Sequence, residues 1–337
     1  MPSARVGWSN GIAIERDGIR LLLDPAPGSC TGPDSVVFVT HAHADHTYGL
    51  ATRAKKYATP ETKAIYEMIT GVKLESLREM PLGTSVKLDG IEVVARNAGH
   101  MVGSAQFEVR LPEETIVYTG DINCVDTLTT SAAEPIECDQ LVIEATYGAP
   151  YYQFPPRERT YARIVDWVLD QVSMGRIPTF QAYASGKAQE LMRLFNLYTR
   201  LRVVSHPSVH RVNEACRRSG LELSGIPLQE GVDLAEEPSI YLTVPRDGSR
   251  LPPKATVAVA TGWALRYGFG GATAFPLSSH ADFNQLVQFV GETKAKAVYT
   301  VSTYARELAD ALTVKLGVRA TPLAALDQRT LPEYQAM

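Results

Sequence analysis

Apolar positions recur along this chain at two different periods, and the change from one to the other divides it. Up to about residue 147 the apolar runs are short. Ile12-Ala13-Ile14 and residues 19–23 flank Asp17-Gly18, and residues 86–88 and 91–94 flank Asp89-Gly90. Asp-Gly between two such runs predicts a tight hairpin, because both central residues of that turn need positive φ. Residues 107–111 and 116–118 flank a third turn. Residues 36–39 and 141–143 are uninterrupted apolar stretches and predict buried strands.

The texture changes near Gly148, where Ala149-Pro150 and Pro155-Pro156 punctuate the chain. A helix is predicted over 157–174, with Ile164, Val165, Val168, Leu169 and Val172 at helical spacing. Strands at 179–182 and 203–204 then alternate with helices at 187–198 and 209–219, the pattern of a small parallel α/β unit. Strand-like runs follow at 240–244 and 256–260. After Pro276 come a helix at 283–292, a strand at 297–301 and a last helix at 305–316. We read residues 1–147 and 276–337 as one α/β domain and 148–275 as an insertion. No internal repeat or low-complexity tract interrupts them.

Composition alters this picture little. The 337 residues, 45% hydrophobic, suffice for real cores and contain no apolar run of membrane-spanning length. The start, MPSARVGWSNG, lacks the apolar stretch of a signal peptide, so a soluble cytoplasmic protein is expected. Cys30, Cys124, Cys138 and Cys216 form no C-x-x-C pair and read as buried free thiols. The net charge of −4 does not advertise a nucleic-acid binder, but residues 148–275 carry +4 and the remainder −8. A basic insertion on an acidic body hints at a polyanionic partner.

The chemistry concentrates in Thr40-His41-Ala42-His43-Ala44-Asp45-His46, directly after the apolar run at 36–39. Three of the chain's seven histidines fall here. Alternating ligands on a strand-end loop can feed two adjacent metals, one imidazole-rich and one with a carboxylate. Asp24, His100, Asp121 and Glu144 each sit just past a predicted strand, as a site on one edge of a sheet requires. Singly, each also reads as a turn residue, a loop histidine or a helix cap.

T-H-A-H-A-D-H, with Asp24, His100 and Asp121 in that order, resembles the signature of the metallo-β-lactamase superfamily. The resemblance implies a four-layered αββα sandwich with two zinc ions. It assigns His41, His43 and His100 to one ion and Asp45 and His46 to the other, with Asp121 between them and Asp24 orienting the loop. Glu144-Ala145-Thr146-Tyr147-Gly148, Ser185-Gly186-Lys187-Ala188-Gln189-Glu190-Leu191 and Ser278-Ser279-His280-Ala281-Asp282 resemble motifs of the superfamily's β-CASP nucleases. That branch carries an inserted α/β cap, and its Glu144-type acid pairs with a His280-type proton donor. Nearly the whole chain resembles compact ligase-associated DNA exonucleases and mRNA 3′-end-processing-factor-like proteins.

The resemblance therefore implies a zinc-dependent phosphodiesterase acting on single-stranded nucleic acid, with Asp45, Asp121, Glu144 and His280 in the reaction and manganese as a substitute for zinc. A DNA exonuclease serving repair is the first expectation and an RNA-processing nuclease the second. A small-molecule metallo-hydrolase, or a non-catalytic scaffold of an RNA-processing complex, is the third. Ser302 stands where the branch's RNA-cleaving members place a further histidine, which weakens the second metal and favours DNA. Ser185, Gly186 and Lys187 are candidates for substrate phosphate at a helix start. They are not a P-loop, since Gln181 replaces its first glycine and Ala188 its Ser/Thr. Tyr147, Tyr151, Tyr152 and Phe154 could stack bases or fill a core, and His206 and His210 read as structural or phosphate-binding.

Overall fold

The computed structural model describes residues 4–29, 35–245 and 251–325; Cys30 lies outside them. Six strands lie side by side in chain order: β1 (Arg5–Trp8), β2 (Ile12–Arg16), β3 (Ile19–Leu23), β4 (Ser35–Phe38), β5 (Lys55–Ala58) and β6 (Leu77–Glu79). The β2–β3 hairpin turns at Asp17 (φ 48°) and Gly18 (φ 85°), as the Asp-Gly pair requires. Helix α1 (Pro60–Thr70) covers the outer face between β5 and β6.

A second sheet begins with β7 (Ser85–Leu88), β8 (Ile91–Asn97), β9 (Ala105–Arg110), β10 (Thr115–Tyr118) and β11 (Gln140–Glu144). Alternation along the strands assigns the faces. Leu21, Leu23, Phe38, Phe107, Ile116 and Tyr118 point between the two sheets, whereas Leu22 and Val37 point out toward α1 and Val117 points out on the far side.

The chain then leaves this body through α2 (Arg157–Ser173), β12 (Ile177–Gln181), α3 (Lys187–Tyr198), β13 (Arg202–Ser205), α4 (Pro207–Arg218), β14 (Ile226–Pro227), β15 (Ser239–Thr243), β16 (Ala255–Ala260) and β17 (Thr273–Phe275). These strands form their own all-parallel sheet, ordered β14-β13-β15-β12-β16-β17. It returns through α5 (Phe283–Thr293), β18 (Ala297–Val301), α6 (Ala305–Leu316) and β19 (Arg319–Pro322). Strands β18 and β19 complete the second sheet beside β11, and Phe283, Leu286, Phe289, Leu308 and Leu312 of α5 and α6 cover it. The main body is thus α1, sheet, sheet, α5/α6: an αββα sandwich with an α/β unit emerging from one edge.

That unit is seated on the body through particular residues. Ala42, Ile65 and Met101 belong to the same apolar core as Tyr161, Ile164, Phe180, Leu191 and Phe195. Ala42 separates His41 from His43, and Met101 follows His100. The emerging unit therefore packs directly on the histidine-bearing loops. Among the described residues no helix is long and apolar enough to cross a membrane.

Candidate active site

The site is built where strands of the sandwich run out at one edge. β3 ends before Asp24, β4 before the 40–46 loop, β8 before His100, β10 before Asp121 and β11 at Glu144. His41, His43, His100 and Asp121 each present one ligand atom, all within 4.8 Å of one another.

The hydrogen bonds behind the rings fix which atoms face inward. Thr40 Oγ1 donates to Asp24 at 2.6 Å, so it can only accept from His41 Nδ1–H, at 2.9 Å. His100 Nδ1–H donates to the Ser279 carbonyl at 2.8 Å, and His43 Nε2–H to the Ser185 carbonyl at 3.3 Å. The inward nitrogens, His41 Nε2 and His100 Nε2, then lie 3.0 and 3.1 Å from His43 Nδ1 with no hydrogen to share. Three lone pairs and a carboxylate converging in a buried space are a donor set that suits a cation. Burial and mutual repulsion hold His41 and His100 well below the usual histidine range, and burial lowers His43 to about 4. All three are neutral at pH 7, the form that ligates.

Asp121 Oδ2 sits 3.6 Å from His41 Nε2, 3.6 Å from His46 Nε2, 3.8 Å from His100 Nε2 and 4.0 Å from His280 Nε2. Burial pushes its carboxyl up to about 6 against the opposing pull of His46 and His280. His46 turns Nδ1–H to Asp24 at 2.8 Å and leaves Nε2 toward Asp121 and, at 3.7 Å, Asp45. Burial opposes its charge, but Asp24 and Asp121 outweigh that and raise it to about 10. The Asp45 carboxylate is 81% exposed and lies on the outer rim. The structure thus gathers His41, His43, His100 and Asp121 tightly, with His46 beside them and Asp45 more loosely. Asp24 also accepts from the Thr40 amide at 2.8 Å and Tyr118 Oη at 3.1 Å, tying the 40–46 loop to the sheet.

Next to this cluster, His280 Nδ1–H donates to both oxygens of Glu144 at 2.9 Å. Glu144 is buried and is held by the Ile122 amide at 2.7 Å. Burial disfavours both charges, yet their mutual attraction wins: His280 is raised to about 9 and Glu144 is lowered. The free edge of His280 faces Asp121, and its ring centroid is 4.5 Å from that of His100.

Other candidates fall differently. Lys187 was expected at substrate phosphate, but its ammonium is buried and donates to Glu190 at 2.9 Å, so it is committed to an ion pair within α3. Ser185 turns its carbonyl to His43, and Gly186, φ 84°, is the N-cap of α3. Ser302, φ 83°, shares a 3.3 Å hydroxyl contact with Thr146. His206 caps α4 by accepting from the Ser208 amide, and His210 lies 3.5 Å from Glu214; neither is among the grouped ligands. Tyr147 and Tyr152 are core residues, whereas Tyr151 is exposed with Arg266 4.6 Å over its ring. The sequence reading missed Tyr183, an exposed ring 6.3 Å from that of His43. It also missed Arg157.

One glycine guards the geometry. Gly99, φ 70°, precedes His100, and a Cβ there would stand 2.5 Å from the Asn123 carbonyl and 2.8 Å from the Ala133 amide. Those are backbone atoms that cannot rotate away. Gly99→Ala is expected to cost more than about 2 kcal/mol, read by thermal or urea unfolding. An unchanged unfolding midpoint would show that this turn is not rigid.

Comparison with known proteins agrees with the geometry. Residues 18–175 match the family described as Beta-lactamase superfamily domain. A probable DNA ligase of Opitutus terrae is 28% identical over 317 residues, covering 86% of this chain and 30% of the ligase. Cleavage and polyadenylation specificity factor subunit 3 of Dictyostelium discoideum is 29% identical over 53% of this chain and 27% of its own length. RNase aCSPSF2 of Saccharolobus solfataricus is 28% identical over 56% of this chain and 44% of its own. The chain therefore spans less than half the length of these relatives. A crystal structure of a protein of unknown function from Enterococcus faecalis V583 superposes over 96% of this chain and 99% of that one, with a TM-score of 0.70 at 13% identity, and so shares the fold.

Proposed function

We propose that this chain, which matches the β-lactamase superfamily domain over residues 18–175 and carries a His/Asp cluster suited to a divalent metal, is a nuclease of the metallo-β-lactamase superfamily. It hydrolyses phosphodiester bonds of a single strand held between the sandwich (1–147 and 276–337) and the cap (148–275). The observation that carries this reading is the buried Glu144–His280 pair set against the Asp121 cluster. A sugar alkoxide is a poor leaving group and needs a proton, whereas the thiolate released from a thioester does not. The pair thus favours phosphodiester over thioester chemistry. The set-apart cap sheet and its positive charge support a polyanion in the cleft.

Three imidazoles and a carboxylate suit zinc better than magnesium, which prefers oxygen ligands. When bound, the metal supplies positive charge to the phosphate and acidifies an attacking water to about pH 7. His41, His43, His100 and Asp121 would hold one ion. Asp121, His46 and Asp45 would hold a second, more weakly, because Asp45 is on the rim and Ser302 supplies no imidazole. Asp24 keeps His46 and the ligand loop in register. Glu144 keeps His280 protonated, and His280 delivers that proton from Nε2 to the departing oxygen.

DNA is the preferred substrate in this reading. The relative that covers 86% of this chain is named a probable DNA ligase, while the one named an RNase covers 56% and the cleavage and polyadenylation specificity factor subunit 53%. Digestion of end-labelled single- and double-stranded DNA and RNA with Zn²⁺ or Mn²⁺ tests it. Release of nucleotides from single-stranded DNA is expected. Cleavage of RNA alone would reverse the preference, and thioester hydrolysis with no cleavage of any nucleic acid would sink the nuclease.

A further inference from the structure

We propose that Arg157 and Glu190, inside the cap, are positioning residues for the hydrolytic centre: a clamp that fixes the peptide carrying His280 and the loop that orients His43. The proposal rests on the nuclease reading for its kinetic consequence, but the clamp itself is a matter of contacts.

Glu190 lies in the first turn of α3 and is almost wholly buried. Its Oε1 accepts from Arg157 and, at 2.5 Å, from Tyr161 Oη; its Oε2 accepts from Lys187 at 2.9 Å. Arg157 begins α2, and its second terminal nitrogen reaches out of the cap to the Ser278 carbonyl at 2.5 Å. Ser278 lies on the returning chain between β17 and α5. Its hydroxyl accepts from the His280 amide at 2.9 Å and donates to the His280 carbonyl at 3.0 Å, closing a small turn around the proton donor. The next carbonyl, Ser279, is the one that receives His100 Nδ1–H.

On its other side, the same ion cluster anchors the start of α3. Gly186 is the N-cap there, so close that a Cβ would stand 3.7 Å from His43 Nε2, and the Ser185 carbonyl accepts from that nitrogen. One buried carboxylate therefore ties three histidines of the site to two cap helices: His43 through Ser185, and His100 and His280 through Arg157 and the 278–279 peptides.

A buried ion cluster is weak evidence for stability, since well-packed apolar residues do as well or better. This one spends the planar fork of an arginine on a carbonyl outside the cap. That is a geometric service, and lysine cannot reproduce it because it lacks a rigid fork.

Arg157→Lys in the full chain keeps the charge beside Glu190 and removes the two-acceptor grip. Its kcat on a single-stranded oligonucleotide is expected to fall roughly 10–100-fold with KM nearly unchanged, the signature of misplaced reacting groups. Amide hydrogen exchange should rise at least about tenfold across 277–282 while β12 and α3 stay protected. Val168→Ala, which thins the cap core away from the clamp, should leave kcat near wild type. An Arg157→Lys kcat within about threefold of wild type would overturn the clamp, as would faster exchange over the whole cap, which marks a merely structural role. Should the wild-type protein cleave no nucleic acid, the nuclease reading falls, and the exchange data alone still decide for or against the clamp.

Discussion

Asp121→Ala is expected to abolish cleavage of every nucleic acid the wild type degrades, by roughly 10⁴-fold or more, and to lower bound metal as well. The reason lies in its position. One oxygen stands 3.6–4.0 Å from nitrogens of His41, His46, His100 and His280, so it links both candidate metal positions and the proton donor. Removing it leaves four converging imidazoles without an anion between them. Asp45→Ala is the comparison. Its carboxylate is on the solvent-facing rim, so its loss should cost far less activity and should release one metal before the other on chelation. Asp121→Ala with full metal content and more than about 1% of wild-type turnover would contradict this assignment of the centre.

The residues that could be read from sequence are those whose signal is local. Every ligand of the cluster follows the end of a strand, His41 and His43 after β4, His100 after β8 and Asp121 after β10, and the Asp-Gly turns fold with the positive φ that the pair permits, as at Asp89 (43°) and Gly90 (87°). Helix α3 and helix α6 run over the ranges the pattern assigns. Helix α4 begins two residues early, because His206 caps it and Pro207 takes its first turn.

Helix α1 was not read at all, although Thr59 caps it, Pro60 opens it and Gly71 closes it at φ 73°. Its apolar residues do not form one stripe. Ala64, Ile65 and Met68 pack on the cap core while Tyr66 packs on the sheet, so the helix is apolar on two sides and the single-face pattern fails. The short strands β5 and β6 beside it were passed over for want of a turn signal.

Lys187 shows the other limit. In sequence it is a lysine after a glycine at a helix start, which reads as a phosphate contact. What claims it instead is Glu190, three residues on along α3, a spacing that is visible in the sequence; what was not legible is the burial of that pair, set by Arg157 of α2, 33 residues before Glu190. Glu144 and His280 were nonetheless paired from sequence, by the resemblance of their motifs rather than by any local pattern. Their 2.9 Å contact comes about because β11 leads out to the cap and the chain returns from it beside the same strand end.

That contact sets the last expected result. His280→Ala should lower turnover on oligonucleotides by roughly 10²–10⁴-fold, the usual contribution of a general acid. Metal content should hardly change, because His280 spends Nδ1 on Glu144 and its Nε2 is farther from Asp121 Oδ2 than any of His41, His46 or His100. Glu144→Gln should follow in the same direction, since a neutral amide no longer holds the imidazolium. The decisive substrate is one that needs no proton. A nitrophenyl phosphodiester releases nitrophenolate, which leaves as a stable anion without a proton, so the deficit of His280→Ala on it should shrink to within about tenfold of wild type. If the deficit is as large on the nitrophenyl ester as on the oligonucleotide, His280 acts on phosphate or metal and not on the leaving group. If His280→Ala instead loses a metal ion, it is a ligand, and the proton must come from another group.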